Sequence, residues 1–302
     1  MMGLMGMING DTRIAKQIDK DGVSDGTVYM SSCVPVRLAI MAATFVAGIF
    51  IVLLIWFLMA WYVNEFMDIV MKFPYPSESI GWAWEMLTRD NMIYGHTMWE
   101  HLIASLRRVL IAFIAASVTG ITLGTILGYF SKIYTIGIIP VTVFQTIPGL
   151  AWVPIALLLF GLGDKASIFI IFSVATMVIT INVSGGIRTM PQVVTRAAGM
   201  MGANGVVMFF KILVPYSAVS IINGLRLGMG SAWRVLIAAE MLIGTGIGLG
   251  SSMETLRDNL DYVGAFGCIA IIVIIGLLID KVLFSALERT VRHKLGMEED
   301  YL

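Results

Sequence analysis

Apolar residues in this chain fall into runs that are too long and too clean for the faces of soluble helices. Crossing the hydrocarbon core of a bilayer takes about 20 apolar residues in a helix. Leu38 to Trp61 meets that requirement without a charged residue. Val109 to Phe130 predicts a second span, and Ile133 to Phe160 a third that is interrupted by Pro140, Pro148 and Pro154. Ala166 to Ile187 predicts a fourth. The fifth, Val219 to Ile243, carries Arg226, Arg234 and Glu240, and Val263 to Ile279 gives a short, wholly apolar sixth. The expected architecture is an all-α membrane protein of six transmembrane helices, with both termini on one side. Its segments are a leader (1–37), a first helix (38–61), a connecting segment (62–104), a five-helix core (105–285) containing the loop 188–217, and a tail (286–302).

Composition agrees with this pattern. With 58% hydrophobic and 13% charged residues, the chain is too apolar for an ordinary soluble domain. Its formal net charge of zero points away from nucleic acid. The distribution of positive charge then sets the orientation, because cytoplasmic loops accumulate Lys and Arg. With the termini inside, the inner segments hold Arg13, Lys16, Lys20, Arg37, Lys132, Arg188, Arg196, Lys211, Lys281, Arg289, Arg292 and Lys294. The outer ones hold Lys72, Arg89, Arg107, Arg108, Lys165 and Arg257. Both termini and the 188–217 loop are therefore expected in the cytoplasm. Cys33 and Cys268 lie too far apart in sequence to suggest a disulfide framework. The first apolar run is too long for the core of a cleavable signal peptide.

Between the first two spans, the prolines of Phe73-Pro74-Tyr75-Pro76-Ser77 favour extended backbone. Ser79 to Leu87, with Trp82 and Trp84, reads as a short helix, either lying at the membrane interface or meeting an external partner. Gly120, Gly124 and Gly128 repeat every fourth residue and form one small face for close helix packing, within a subunit or between two. Gln145-Thr146-Ile147-Pro148-Gly149 must break the third helix in mid-span. Backbone groups freed inside a bilayer survive where protein or a polar cavity satisfies them, so the break either lines a path or is a proline kink. Arg226 and Arg234 lie within about 80° of each other on their helix. They read either as a structural ion pair with one snorkelling arginine, Glu240 being an available acid, or as positive elements in a path for an anion.

Gln145, Thr146, Pro148, Arg226, Arg234 and Glu240 are the candidate path residues. Gly244 to Gly250 departs from G-x-G-x-x-G at Leu249 and reads as a flexible loop. No Walker A sequence, catalytic triad or metal-ligand spacing is present, so neither catalytic nor metal residues are expected.

The stretch between the fourth and fifth spans carries the most specific signal. Arg196-Ala197-Ala198-Gly199-Met200-Met201-Gly202-Ala203-Asn204, followed by Phe210-Lys211-Ile212-Leu213-Val214-Pro215, resembles the cytoplasmic loop of ATP-binding-cassette (ABC) importer permeases. That loop begins Glu-Ala-Ala, continues to a glycine, and ends on an apolar pair and proline. Ala197, Ala198, Gly202 and Pro215 fall in register, and Arg196 stands where the family has glutamate. The similarity extends through Ser105-Leu106-Arg107-Arg108-Val109-Leu110, Pro148-Gly149-Leu150-Ala151-Trp152-Val153-Pro154, Phe160-Gly161-Leu162-Gly163, Gly224-Leu225-Arg226-Leu227-Gly228, Ala232-Trp233-Arg234 and Ala239-Glu240-Met241-Leu242. These motifs look like the subgroup serving nitrate, taurine, aliphatic sulfonates and bicarbonate.

The resemblance implies a multi-pass permease of the bacterial inner membrane, with the type I importer fold and no enzymatic activity of its own. Arg196, Ala197, Ala198, Gly202, Ala203, Lys211 and Pro215 would form a coupling helix seated on a separate P-loop ATPase, which binds ATP and Mg. Two ATPase copies, a second permease subunit (a homodimer being the simplest case) and an external solute-binding protein would complete the importer. Lys211 and Arg188 suit either acidic patches of the ATPase or lipid phosphates. An ion-coupled secondary transporter is the alternative from another class, and a neutral or aromatic solute the alternative substrate.

Overall fold

A computed structural model describes residues 26–67, 71–89 and 91–294. Residues 1–70 and 71–302 form two separate compact units. The first holds α1 (Gly26–Phe66), within which Ala43–Phe66 is apolar enough to cross a membrane. Most of the leader and about half of the tail expected from the sequence lie outside the described residues.

The second unit begins with α2 (Pro76–Thr88) and a two-residue hairpin, β1 (Met92–Ile93) and β2 (His96–Thr97). It continues through α3 (Met98–Tyr129), α4 (Ser131–Thr146), a 3₁₀ turn (Gly149–Trp152), α5 (Val153–Phe160) and α6 (Asp164–Arg188). After α7 (Gln192–Met200) and α8 (Gly205–Met208), a π-helical turn (Phe209–Leu213) leads into α9 (Val214–Ile243). A short α10 (Leu249–Asp258) precedes α11 (Tyr262–Leu278), which runs through a second π segment (Ile279–Phe284) into α12 (Ser285–Lys294). Among the described residues, five helical stretches are long and apolar enough to cross a membrane, and counting the bent α4–α5 pair makes six.

The centre of this unit is α6, and small residues explain how its neighbours reach it. Ala112, Ala116, Gly120, Gly124 and Gly128 make one continuous buried ridge of α3 at four-residue spacing. Opposite them stand Ile179, Val183 and Ile187 of α6, also four apart. A Cβ on Gly120, Gly124 or Gly128 would come within 2.8, 2.7 and 2.7 Å of those three side chains. The glycine face therefore packs inside one chain, each missing side chain admitting a β-branched one. Matching four-residue ridges is a common way for two helices to interlock, and small residues drive it in lipid. On its other side α6 meets α9, where a Cβ on Gly228 would lie 2.6 Å from Ile179 and one on Gly224 3.0 Å from Asn182.

Two boundaries differ from expectation for local reasons. α3 starts at Met98, well before Val109, because Thr97 and Glu100 form a capping box. The Thr97 amide donates to Glu100 Oε2 (2.8 Å), and the Glu100 amide to Thr97 Oγ1 (3.4 Å). The fifth span extends back to Gly205, with the π turn falling just before Pro215. A proline offers no N–H to the carbonyl four residues earlier, and a wider turn accommodates that gap. Pro140, by contrast, sits inside α4 without ending it.

Candidate functional site

The loop joining α6 to α9 forms a compact helix–turn–helix. α7 closes with a Schellman turn: the Ala203 amide donates to the Ala198 carbonyl (2.9 Å) and the Gly202 amide to Gly199 (3.0 Å). The turn requires a left-handed residue after the helix, and Gly202 supplies it at φ +83°. Of α7's nine residues only Ala198 is buried. Val193, Met200, Met201, Val206 and Phe210 are exposed, Met200 to 85%. This short element therefore shows more apolar surface than it hides. Arg196 is exposed, and its Nη2 donates to Gln192 Oε1 one turn back (2.9 Å). The charge that replaces the family glutamate thus lies along its own helix. Ala197 and Ala203 are half-buried, Lys211 is exposed in the π turn, and Pro215 is half-buried at the head of α9. The Tyr216 hydroxyl donates to the Thr189 carbonyl (3.4 Å), tying the two ends of the loop together. α7 therefore sits on a short strap between α6 and α9, which pack against each other at the centre.

The break in the third span is sharp. α4 and the segment Gly149–Phe160 diverge by 96°, far more than a kink at one proline. Gly149 is where the turn meets the bundle: a Cβ there would come within 2.7 Å of Val235 on α9 and 3.3 Å of Val174 on α6. Gln145, Thr146 and Pro148 are exposed at the break, with the Thr146 hydroxyl donating to the Val143 carbonyl (2.7 Å).

The charged path candidates separate into different environments. Glu240 is fully buried and pairs with Arg108, not with either arginine of its own helix. Arg108 Nη1 donates to Glu240 Oε1 (2.6 Å), and its Nε donates to Asp164 at the head of α6 (2.8 Å). Ser105 Oγ donates to the same carboxylate (2.8 Å), as does the Gly250 amide (2.9 Å). The Leu249 amide in turn donates to Ser105 Oγ (2.9 Å).

The Gly244–Gly250 turn, read from sequence as a flexible loop, is instead folded tightly over this carboxylate. Gly244, Gly246 and Gly248 have φ of +67°, +75° and +155°, and a side chain at Gly248 would strike the Glu240 carboxyl group. His101 fixes the turn from the other side, its Nδ1 accepting from the Gly248 amide (3.0 Å) and its Nε2 donating to the Ile93 carbonyl (3.1 Å). Arg226 is held by Asp280 of the second π segment through two bonds (2.6 and 3.0 Å), with Glu288 at 3.6 Å. Arg234 is exposed, and its Nη2 contacts Ser231 Oγ at 3.3 Å. Ser105 and Arg108 enter the sequence reading only within a motif and a charge count, and Asp164 and Asp280 not at all; their pairing with Glu240, Arg108 and Arg226 shows only in the fold.

Residues 120–293 match the family described as binding-protein-dependent transport system inner membrane components. The chain belongs to this family. This ABC permease is accordingly a multi-pass inner-membrane transport subunit and not an enzyme. A putative ABC transporter permease of Methanocaldococcus jannaschii is 37% identical over 60% of this chain and 68% of its own length. The taurine transport system permease TauC of Escherichia coli is 31% identical over 61% of this chain and 66% of its own. The nitrate import permease NrtB of Synechocystis is 37% identical over 60% and 65%. The chain thus spans about two thirds of the length of these relatives. Among solved structures, the inward-facing MetNI methionine ABC transporter aligns with a TM-score of 0.57 at 19% identity, covering 64% of this chain and 97% of that one. That likeness establishes the type I importer fold.

Proposed function

We propose that this permease forms the membrane path of an ATP-driven importer fed by an external solute-binding protein, with α7 as the element that engages a separate ATPase. Two P-loop ATPase chains bind ATP and Mg, two permease subunits enclose the path, and both termini face the cytoplasm with α7. The substrate is a small anion of the sulfonate, taurine, nitrate or bicarbonate class, in keeping with the printed roles of TauC and NrtB. One observation carries the coupling assignment: a largely exposed short helix with apolar side chains facing outward sits between α6 and α9, which pack together at the centre of the bundle. Glu240 supports the same reading against an ion-coupled carrier. Such a carrier needs an acid free to load and unload, and this one is enclosed by three donor groups.

A photocrosslinking residue at Met200 or Met201 tests the coupling assignment in the native host. The expected result is a covalent adduct with a P-loop ATPase, absent when the same residue stands at Ile114, an exposed apolar position of α3. Identical adduct patterns at Met200 and Ile114 would overturn it.

A further inference from the structure

Arg108, Arg226 and Arg234 all lie on helices of the bundle, and the first two are paired with carboxylates. Arg108 is shared between Glu240 and Asp164, and Arg226 is clamped by Asp280 with Glu288 nearby. Arg234 has no carboxylate partner among the described residues. Its depth follows from its neighbours. Trp233 Nε1 donates to the Ile272 carbonyl (3.2 Å), midway along α11. Val235 packs beside Gly149 and so stands at the level of the broken helix, near Val174 in the middle stretch of α6. At 1.5 Å per residue Arg234 also lies about 9 Å along α9 from Glu240, away from the end of the helix.

An unpaired guanidinium at that depth is costly against lipid, so its face is expected to meet water or protein. The residues around it agree. Asn223, Leu227, Gly230, Ser231 and Arg234 recur at three- and four-residue intervals on the open side of α9, and nothing lies within 4 Å of a Cβ placed on Gly230. The exposed face of α3 is made instead of Leu110, Ile111, Ile114 and Val118, as suits hydrocarbon.

We propose that Arg234 is the specificity-determining charge of the path, an uncompensated guanidinium at mid-depth that favours small oxyanions, sulfonates among them, over cations. The proposal rests on the transport reading above and adds the residue that sets charge preference. A guanidinium presents planar, paired donors that match sulfonate and carboxylate oxygens. A guanidinium exposed on an open helix face, with no other charged side chain of the described residues bonded to it, attracts an anion without enclosing it, which passage through a pore demands. Arg226, already neutralised, plays no part in the selection.

The test needs no knowledge of the natural substrate. In full-length chain with Cys33→Ser and Cys268→Ala, purified with its ATPase, Ser231→Cys places a thiol beside Arg234. Its rate of modification is measured with two water-soluble probes, the anionic sulfonatoethyl methanethiosulfonate and the cationic trimethylammonioethyl methanethiosulfonate. Both the nucleotide-free and the vanadate-trapped complex are sampled. The anionic-to-cationic rate ratio is expected to fall about tenfold when Arg234→Gln is added, the scale of a single charge acting a few ångströms away in a wet site, and to be kept by Arg234→Lys. Leu227→Cys, on the same open face, repeats the measurement should Ser231→Cys fail to assemble. An unreactive thiol in both states, or a ratio indifferent to Arg234→Gln, would overturn the proposal. Either failure leaves the ATPase assignment of α7 intact, since crosslinking at Met200 reads that independently.

Discussion

Glu240→Ala strikes a buried carboxylate that accepts from three donor groups. The substitution leaves Arg108 Nη1, Ser105 Oγ and the Gly250 amide without their acceptor, in a site from which water is excluded. Arg108 keeps Asp164, so half of its charge compensation survives. Removing one member of a buried ion pair costs about 3–5 kcal/mol, mostly from the charge left behind. At about 2–4 °C per kcal/mol for a chain of this order of size, the melting temperature should fall by roughly 6–20 °C.

A thiol-reactive dye in detergent reports this directly, because Cys268 is completely buried and reacts only as the bundle opens. The measurement is made in a Cys33→Ser background. Glu240→Gln, which can still accept from Arg108 and Ser105, should lose less than half as much. Combining Glu240→Leu with Arg108→Met should recover part of the loss, since no orphaned charge remains. A Glu240→Ala chain that melts within about 2 °C of the parent would refute the reasoning, because a deficit of several kcal/mol cannot hide in so small a shift.

Other outcomes follow from the same geometry. Gly124→Val forces two branched side chains into one gap, where even a Cβ meets Val183 at 2.7 Å and the Thr180 carbonyl at 2.8 Å. A loss of about 1–3 kcal/mol is expected, read as a lower melting temperature or a lower yield of folded protein. Gly202→Ala has open space around it but a left-handed backbone, so it should cost only about 1 kcal/mol in melting experiments. Ala197→Trp should instead leave stability nearly unchanged while uncoupling ATP hydrolysis from uptake, measured in reconstituted vesicles. For Arg226 and Asp280, a double-mutant cycle with Arg226→Ala and Asp280→Ala should show a coupling energy on the order of 0.5–3 kcal/mol, because the two are bonded to each other twice.

Much of the architecture was legible because membrane helices announce themselves by length and apolarity. The break at Gln145–Gly149 was legible as well, since Pro148 and Gly149 in mid-span leave few alternatives. What the sequence hid was pairing. The four-residue row of glycines in α3 and the four-residue row of branched residues in α6 are each visible, yet nothing local says that one fits the other. Glu240 finds Arg108 across 132 positions and Arg226 finds Asp280 across 54, distances at which periodicity carries no information. The early start of α3 has a readable signal in Thr97-Met98-Trp99-Glu100, masked in the hydropathy pattern because Arg107 and Arg108 interrupt the apolar run. The glycine-rich turn misled for a physical reason. Glycine marks freedom in an unfolded chain, but here it lets backbone close over a carboxylate where any side chain would collide.

The most direct test of the account is affinity purification of the tagged chain in mild detergent from its native host, alone and with Ala197→Trp plus Gly202→Val. Co-purifying proteins are identified by mass spectrometry, and ATP hydrolysis is measured in the eluate. The account predicts a stoichiometric P-loop ATPase with the parent chain and its loss, with the hydrolysis, from the variant, while the variant itself still reaches the membrane. A parent chain that arrives without an ATPase, or a variant that retains it in full, would contradict the assignment of α7.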